Sequence, residues 1–218
     1  MKHSHSLIRA CLVLLAAICL DIHRAAAAAP ATQPVSAAGG VEGIVTAESE
    51  VPLSEMVVYL ASPGEKRAIP PATQPATISQ KDAQFEPRLL VVSVGQSVDF
   101  LNDEQRQIEH NVFSNSAAKR FDLGLYGPGK SKSVTFDKPG PVFLYCSIHR
   151  YMDGVIFVSP TPYTSRVDKD GRYAIENVPP GDWTLMTWQR RRRFPEKTIA
   201  VTVETDKPAK VNLELKRK

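Results

Sequence analysis

The sequence predicts an all-β protein built from sandwiches or partly open barrels. Three observations predict it. Short segments rich in β-branched and aromatic residues follow one another along the chain, turn dipeptides separate them, and past the first thirty residues no stretch sustains a helical period for three turns. The strand-like segments, in order after an opening Gly-x-Val/Ile strand from Val41, are Val57 to Leu60, Leu89 to Val94, Val98 to Phe100, Val112-Phe113, Ser133 to Phe136, Val142 to Tyr145, Val155 to Val158, Tyr173 to Ile175, Thr184 to Thr187, Thr198 to Val203 and Val211 to Leu215. Gly95-Gln96, Asn102-Asp103, Pro139-Gly140, Asp170-Gly171 and Pro180-Gly181 punctuate them as turns.

The composition is that of an ordinary folded protein: 218 residues, 43% hydrophobic and 23% charged, which excludes disorder, a collagen-like fibre and a multi-span membrane protein. Residues 1–29 read as a secretory signal. Lys2 and Arg9 give the positive start, Ala10 to Leu20 is an apolar run, and Ala25 to Ala29 offers small residues for cleavage. The run is shorter than the roughly 20 apolar residues that span a bilayer. Cys19 follows Ile18, where a lipoprotein signal wants a small residue, so the expectation is export of a soluble protein, periplasmic or extracellular, with no transmembrane segment in the mature chain.

Cleavage near Ala29 would remove three of the five histidines and two of the three cysteines, leaving His110, His149 and Cys146. It would also lower the net charge from +4 to +2, so the basicity of the whole chain says little about partners, and export argues against nucleic acid. A lone cysteine in an exported chain makes no intramolecular disulfide. It is then a reactive thiol, an intermolecular bridge, a buried small hydrophobe or a metal ligand.

The pentapeptide Pro30-Ala31-Thr32-Gln33-Pro34 recurs as Pro71-Ala72-Thr73-Gln74-Pro75. Both copies read as semi-extended spacers, one over residues 30–40 and one over 62–76. The second marks a boundary before a separate unit at 77–160. The 21 residues at 41–61 are too few to bury a core alone, so they are expected to join residues 161–215 in one discontinuous sandwich into which 77–160 is inserted.

Cys146-Ser147-Ile148-His149-Arg150-Tyr151-Met152 directly follows the strand Val142 to Tyr145, so three potential ligands share one tight loop. Alternation places Val142, Leu144 and Cys146 on one strand face, with the thiol toward the interior. His110 lies 36 residues before Cys146. Taken singly, a buried thiol, a satisfied structural histidine and a core methionine are the plainer readings. Taken together, two imidazoles, a thiolate and a thioether are the ligand preference of a blue-copper electron-transfer site, because sulfur suits Cu(I) and imidazole serves both oxidation states. Zinc is poorly served by methionine.

Residues 77 to 160 resemble a cupredoxin of the plastocyanin/amicyanin type. The resemblance rests on Phe85-x-Pro87 ahead of Leu89-x-Val91, Val94-Gly95 before Val98-x-Phe100-x-Asn102, His110-Asn111-Val112 and Cys146-x2-His149-x2-Met152, the last with amicyanin spacing. The flanking segments, through Asp170-Gly171-Arg172-Tyr173 and Asn177 to Trp183, resemble a smaller carboxypeptidase-regulatory-like (transthyretin-like) sandwich, and the two-part layout is similar to that of proteins labelled methylamine-utilisation-like. The resemblance implies a Greek-key sandwich holding one copper ion, with His110, Cys146 and His149 equatorial and Met152 axial. It also implies that Asn111 bridges the two ligand-bearing loops and donates toward the Cys146 sulfur.

The implied activity is electron carriage between redox partners rather than catalysis; both histidines are already used, so nothing remains for a multicopper oxidase cluster. Copper carriage or sequestration, or a binding scaffold with an accessory copper domain, are the alternatives. Ser147, Ile148 and Arg150 stand where the amicyanin-like loop often carries prolines. Arg150 is expected to favour Cu(I) and to help dock an acidic partner. The run Arg190, Arg191, Arg192 and Arg193 reads as a solvated hairpin loop or a docking patch for an acidic surface. Asp168-x-Asp170-Gly171 lacks the Gly and Glu of an EF-hand loop, since those positions hold Tyr173 and Pro179, and reads as a hairpin turn. Trp183 and Trp188 read as sandwich core or edge.

Overall fold

In the computed structural model, residues 38–48, 53–62 and 74–217 are described. The signal-like segment at 1–29, nearly all of the linker after it and most of the Pro-rich spacer lie outside them. Among the described residues the chain runs through seventeen strands and a short 3-10 turn, Leu53–Glu55. The first six strands are β1 (Gly39–Ala47), β2 (Met56–Ala61), β3 (Ala76–Lys81), β4 (Gln84–Glu86), β5 (Leu89–Ser93) and β6 (Ser97–Asn102). Then come β7 (Phe113–Asn115), β8 (Arg120–Asp122), β9 (Ser131–Thr135), β10 (Gly140–Tyr145), β11 (Asp153–Ser159) and β12 (Thr164–Arg166). The last five are β13 (Arg172–Val178), β14 (Gly181–Gln189), β15 (Thr198–Val203), β16 (Pro208–Lys210) and β17 (Leu213–Leu215). The all-β expectation holds.

The strands form four sheets. β4-β3-β6-β9 faces β5-β11-β10-β7-β8, while β12-β2-β14-β15 faces a sheet in which β1 pairs with β13, β16 and β17. Segments 39–61 and 164–215 therefore share one pair of sheets, and residues 76–159 make the other pair.

Three apolar clusters lie between these sheets. Ile78, Phe85, Val98 and Phe100 pack against Val142, Leu144, Ile156 and Val158 inside the first pair. Val41, Tyr173 and Ile175 pack against Val58, Leu60, Trp183 and Leu185 inside the second. The third cluster joins the pairs: Val57, Tyr59 and Trp188 meet Leu89, Val155 and Phe157.

That arrangement explains two sequence patterns. Strands β2 and β11 read as nearly continuous apolar runs rather than alternating ones because each is buried on both faces, with even positions of β2 in one cluster and odd positions in another. Glycine marks close approach in β1, where a Cβ on Gly43 would stand 1.9 Å from the Val211 carbonyl oxygen, a distance only glycine permits.

β3, β4, β8, β12 and β16 escape the sequence reading, β3 and β8 most plainly. β3 carries Gln80 at a fully buried position, and β8 is three residues long with two of them charged, so neither shows an apolar alternation.

Candidate metal centre

Strand β10 delivers the cysteine. Val142, Leu144 and Cys146 are buried in turn on one face, and the Cys146 thiol is free and buried. Tyr145 on β10 pairs with Asp153 on β11, so residues 146–152 form a closed loop across the end of this hairpin. The Met152 N–H donates to the His149 carbonyl at 2.9 Å and tightens the loop. Met152 is 1% exposed and lies in the same apolar cluster as Cys146. Ser147, Ile148, Arg150 and Tyr151 face solvent, and His149 is half-buried.

His110 comes from a different part of the sandwich and is pinned by its backbone. It exchanges both backbone hydrogen bonds with Tyr126, at 3.1 and 2.9 Å. The Asn102 amide donates to the carbonyls of Tyr126 and Ile108, at 2.9 and 3.0 Å, which folds the 103–109 loop over the site.

The side chains converge. His110 Nδ1 lies 3.0 Å from His149 Nδ1, and Cys146 Sγ lies 4.0 Å from the first and 3.6 Å from the second. All three ligand atoms fall within 4.8 Å of one another. Such a triangle admits one ion at bonds of about 2.0–2.3 Å, the range for nitrogen and thiolate ligands.

The proton arrangement fits a cation too. His110 Nε2 faces Glu104 Oε1 at 2.9 Å and must donate to it, so its Nδ1 lone pair points inward at a second imidazole nitrogen. Burial, reinforced by the nearby His110, holds the His149 pKa below the ordinary imidazole range, which keeps its own lone pair available.

Glu104 is the residue that sequence reasoning missed. Its side chain is 2% exposed and also accepts from the Ala83 N–H at 3.1 Å. Burial alone would raise its pKa, but the hydrogen bonds from His110 and Ala83 and the nearby positive charge hold it below the usual carboxylate range. Its only sequence signal is an acidic residue six positions before a histidine, within a run of polar residues any of which could have turned inward.

Asn111 is 3% exposed and does join the two loops: its Oδ1 accepts from Ser147 N at 2.7 Å and from Ser147 Oγ at 2.9 Å. Its side-chain nitrogen donates to Asp122 Oδ1 at 3.2 Å, rather than to the sulfur as expected. Arg190 also departs from expectation. Its side chain is only 10% exposed and is held by Glu55 and Asp153, where a docking patch or a solvated loop would present it to solvent. Arg191 is 63% exposed and lies 3.6 Å from Glu55, while Arg192 and Arg193 face solvent.

The two sandwiches and the convergent Cys, His and His define a β protein with a soft-metal site in one of its halves. Residues 72–159 match the family model of copper binding proteins of the plastocyanin/azurin family. The chain is 36% identical over 86 residues to a chloroplast plastocyanin of Physcomitrium patens, which covers 34% of this chain; the chain spans about half the length of that relative. A purple cupredoxin from Nitrosopumilus maritimus is 25% identical with a TM-score of 0.35, covering 38% of this chain and 99% of that one. A copper-containing nitrite reductase from Thermus scotoductus is 26% identical with a TM-score of 0.38, covering 53% of this chain and 28% of that one. The matched family binds copper, and the donor set His110, Cys146 and His149 suits that metal.

Proposed function

We propose that the protein is an exported carrier of single electrons, with His110, Cys146 and His149 as the principal copper ligands and Met152 as the weak fourth. The observation that carries this reading is the convergence of two imidazole Nδ1 atoms and one thiol sulfur within 4.8 Å, beside a buried methionine. A copper ion bound there supplies one-electron chemistry between Cu(I) and Cu(II). The protein's part is to hold one ligand geometry through both states: Glu104 fixes the His110 ring, Asn111 ties the loops, and the core around Leu144 and Met152 excludes water.

The half-buried His149 is the natural edge for electron exchange. Ile148 and Tyr151, in the loop that carries His149, are exposed at 51% and 97%, and Arg150 between them is exposed too. An apolar face with one positive charge fits a redox partner whose contact surface is apolar with an acidic rim. Arg150→Ala is then expected to lower both the reduction potential and the rate of reaction with such a partner. Among the described residues no helix is long and apolar enough to cross a membrane.

Copper carriage is less well supported, because handover favours exposed methionines. Met56 is 2% exposed and Met186 packs at the junction of the sandwiches. We further read residues 41–61 and 161–215 as a carboxypeptidase-regulatory-like sandwich interrupted by the cupredoxin domain at 77–160, in keeping with the shared pair of sheets.

The test is a visible spectrum and redox titration of the purified, copper-loaded chain. An intense thiolate-to-Cu(II) band that disappears in Cys146→Ser is expected. Retention of the band in that variant, or rapid copper transfer to an acceptor with slow electron exchange, would overturn the reading.

A further inference from the structure

We propose that Arg190, which belongs to the flanking sandwich, is a positioning residue for the Cys146–Met152 loop, acting through Asp153. The inference rests on the copper-site reading above. It assigns the second sandwich a part in shaping the metal centre.

Asp153 directly follows Met152 and opens β11. Its two carboxylate oxygens are taken by two arginines. Arg88 Nη2 donates to Oδ1 at 2.5 Å, and Arg190 Nη2 donates to Oδ2. The two arginines are not equivalent. Arg88 is 56% exposed, so solvent screens its pairing and the contribution is small. Arg190 is 10% exposed, and its other arm is braced by Glu55 Oε1 at 2.9 Å, with the Arg190 N–H also donating to the Glu55 carbonyl at 3.3 Å. A mostly buried guanidinium held at both ends fixes its partner more firmly than an exposed one.

Each of these charges lies one or two residues from an apolar residue of the junction. Glu55 lies two residues before Val57, Trp188 two before Arg190, Asp153 two before Val155, and Arg88 directly before Leu89. Val57, Trp188, Val155 and Leu89 make up the apolar junction between the sandwiches. The chain Glu55–Arg190–Asp153–Arg88 therefore caps that junction at the start of β11, where the ligand loop ends. Moving Arg190 moves Asp153, and Asp153 is one peptide from the methionine whose N–H closes the loop on His149.

Two measurements on the full chain test this. In the metal-free protein, Arg190→Met should speed amide exchange at Met152 by about tenfold or more while the Leu185 amide in the other sandwich keeps its protection, and Arg190→Lys should restore part of the effect. In the oxidised, copper-loaded protein, Arg190→Met and Asp153→Asn should change the ratio of the two thiolate-to-copper absorption bands in the same direction, because both release the same loop. Glu55→Ala, which removes only the side-chain brace, should give a smaller change of the same sign.

If Arg190 acted by charge alone, Arg190→Met and Asp153→Asn would shift the reduction potential in opposite directions and leave the band ratio alone. That result would overturn the proposal, as would Met152 exchange that is unchanged or that rises only in step with Leu185. If the unaltered chain never develops the band, the copper reading fails, and the exchange measurement still decides the positioning role.

Discussion

His110 and Glu104 form a hydrogen bond of 2.9 Å between side chains that are 0% and 2% exposed, the most deeply buried charged contact at the metal centre. The carboxylate chooses the His110 tautomer and fixes the plane of the ring. Removing it leaves a buried N–H without a partner and a ring free to tilt. Glu104→Ala should therefore weaken copper binding by about 10–100-fold, measured by competition with a chelator of known affinity. Glu104→Gln, whose amide oxygen can still accept, should lose less. Equal losses in the two variants would mean that charge rather than orientation dominates.

The same contact gives acid sensitivity of defined sign. The Glu104 carboxyl is depressed in the folded protein, so its ionised form contributes stability that is fully present above the ordinary value of 4.5 and is lost as pH falls through the lower folded value. Denaturant unfolding of the metal-free protein at a series of pH values should show stability falling below about pH 4.5, and Glu104→Gln should fall less steeply over that interval. Parallel curves for the two proteins would contradict the assignment.

Asn111 is placed to separate two effects that its amide combines. Asn111→Asp keeps an acceptor for Ser147 but sets a second carboxylate beside Asp122, whose oxygen now accepts from the Asn111 amide at 3.2 Å. A loss of about 1–3 kcal/mol is expected near neutral pH, recovering in part at mildly acidic pH, where repulsion between the two carboxylates lets one take up a proton. Asn111→Ala should cost a similar amount with no such recovery. Chemical denaturation at the two pH values distinguishes them.

The metal centre was legible in the sequence to an unequal degree. The inward direction of Cys146 could be read because strand alternation fixes it, and the nearness of His149 and Met152 because they share its short loop; His110 was singled out as the other histidine past the signal-like segment. Glu104 could not be read, since every residue from Asp103 to Glu109 except Ile108 is polar and only the tertiary contacts of Asn102 and Ala83 decide which residue turns inward.

Arg190 illustrates a different failure. The strand expected at Thr184 to Thr187 continues to Gln189, and that extension carries the Trp188–Arg190 alternation into the junction. A run of four arginines looks uniform in sequence, but one member lies at the end of a buried strand face and the others do not. The polar strand β3 was hidden for a related reason: Gln80 is fully buried with its side-chain amide donating to the Tyr126 hydroxyl, a tertiary contact that no alternation announces.

Met152 offers a test of the weak ligand with little structural cost. Leucine has nearly the same volume, and such swaps in a core usually cost below about 1.5 kcal/mol. A thioether donates electron density that favours the more highly charged oxidised ion. Met152→Leu should keep the thiolate-to-copper band but raise the reduction potential, measured by voltammetry on the copper-loaded protein. An unchanged potential would remove Met152 from the ligand set.

Trp188 tests whether the two sandwiches unfold as one unit. Its ring is 3% exposed and stacks on Phe157 with centroids 4.8 Å apart and planes 22° apart, while Phe157 also meets Tyr59 at 5.1 Å. These three rings dominate the junction. Trp188→Ala should cost about 3–5 kcal/mol, enough to uncouple the halves, so that loss of copper absorbance and loss of far-ultraviolet dichroism no longer coincide on denaturation. The Trp188 Nε1–H is buried with no hydrogen-bond partner among the described residues, so the indole already carries a cost of about 1–3 kcal/mol. Trp188→Phe removes that donor while keeping an aromatic face against Phe157, and it should cost at least about 2 kcal/mol less than Trp188→Ala with the two transitions still coincident. Coincident transitions in Trp188→Ala would show that the ion-pair chain from Glu55 to Arg88, rather than the aromatic stack, holds the sandwiches together.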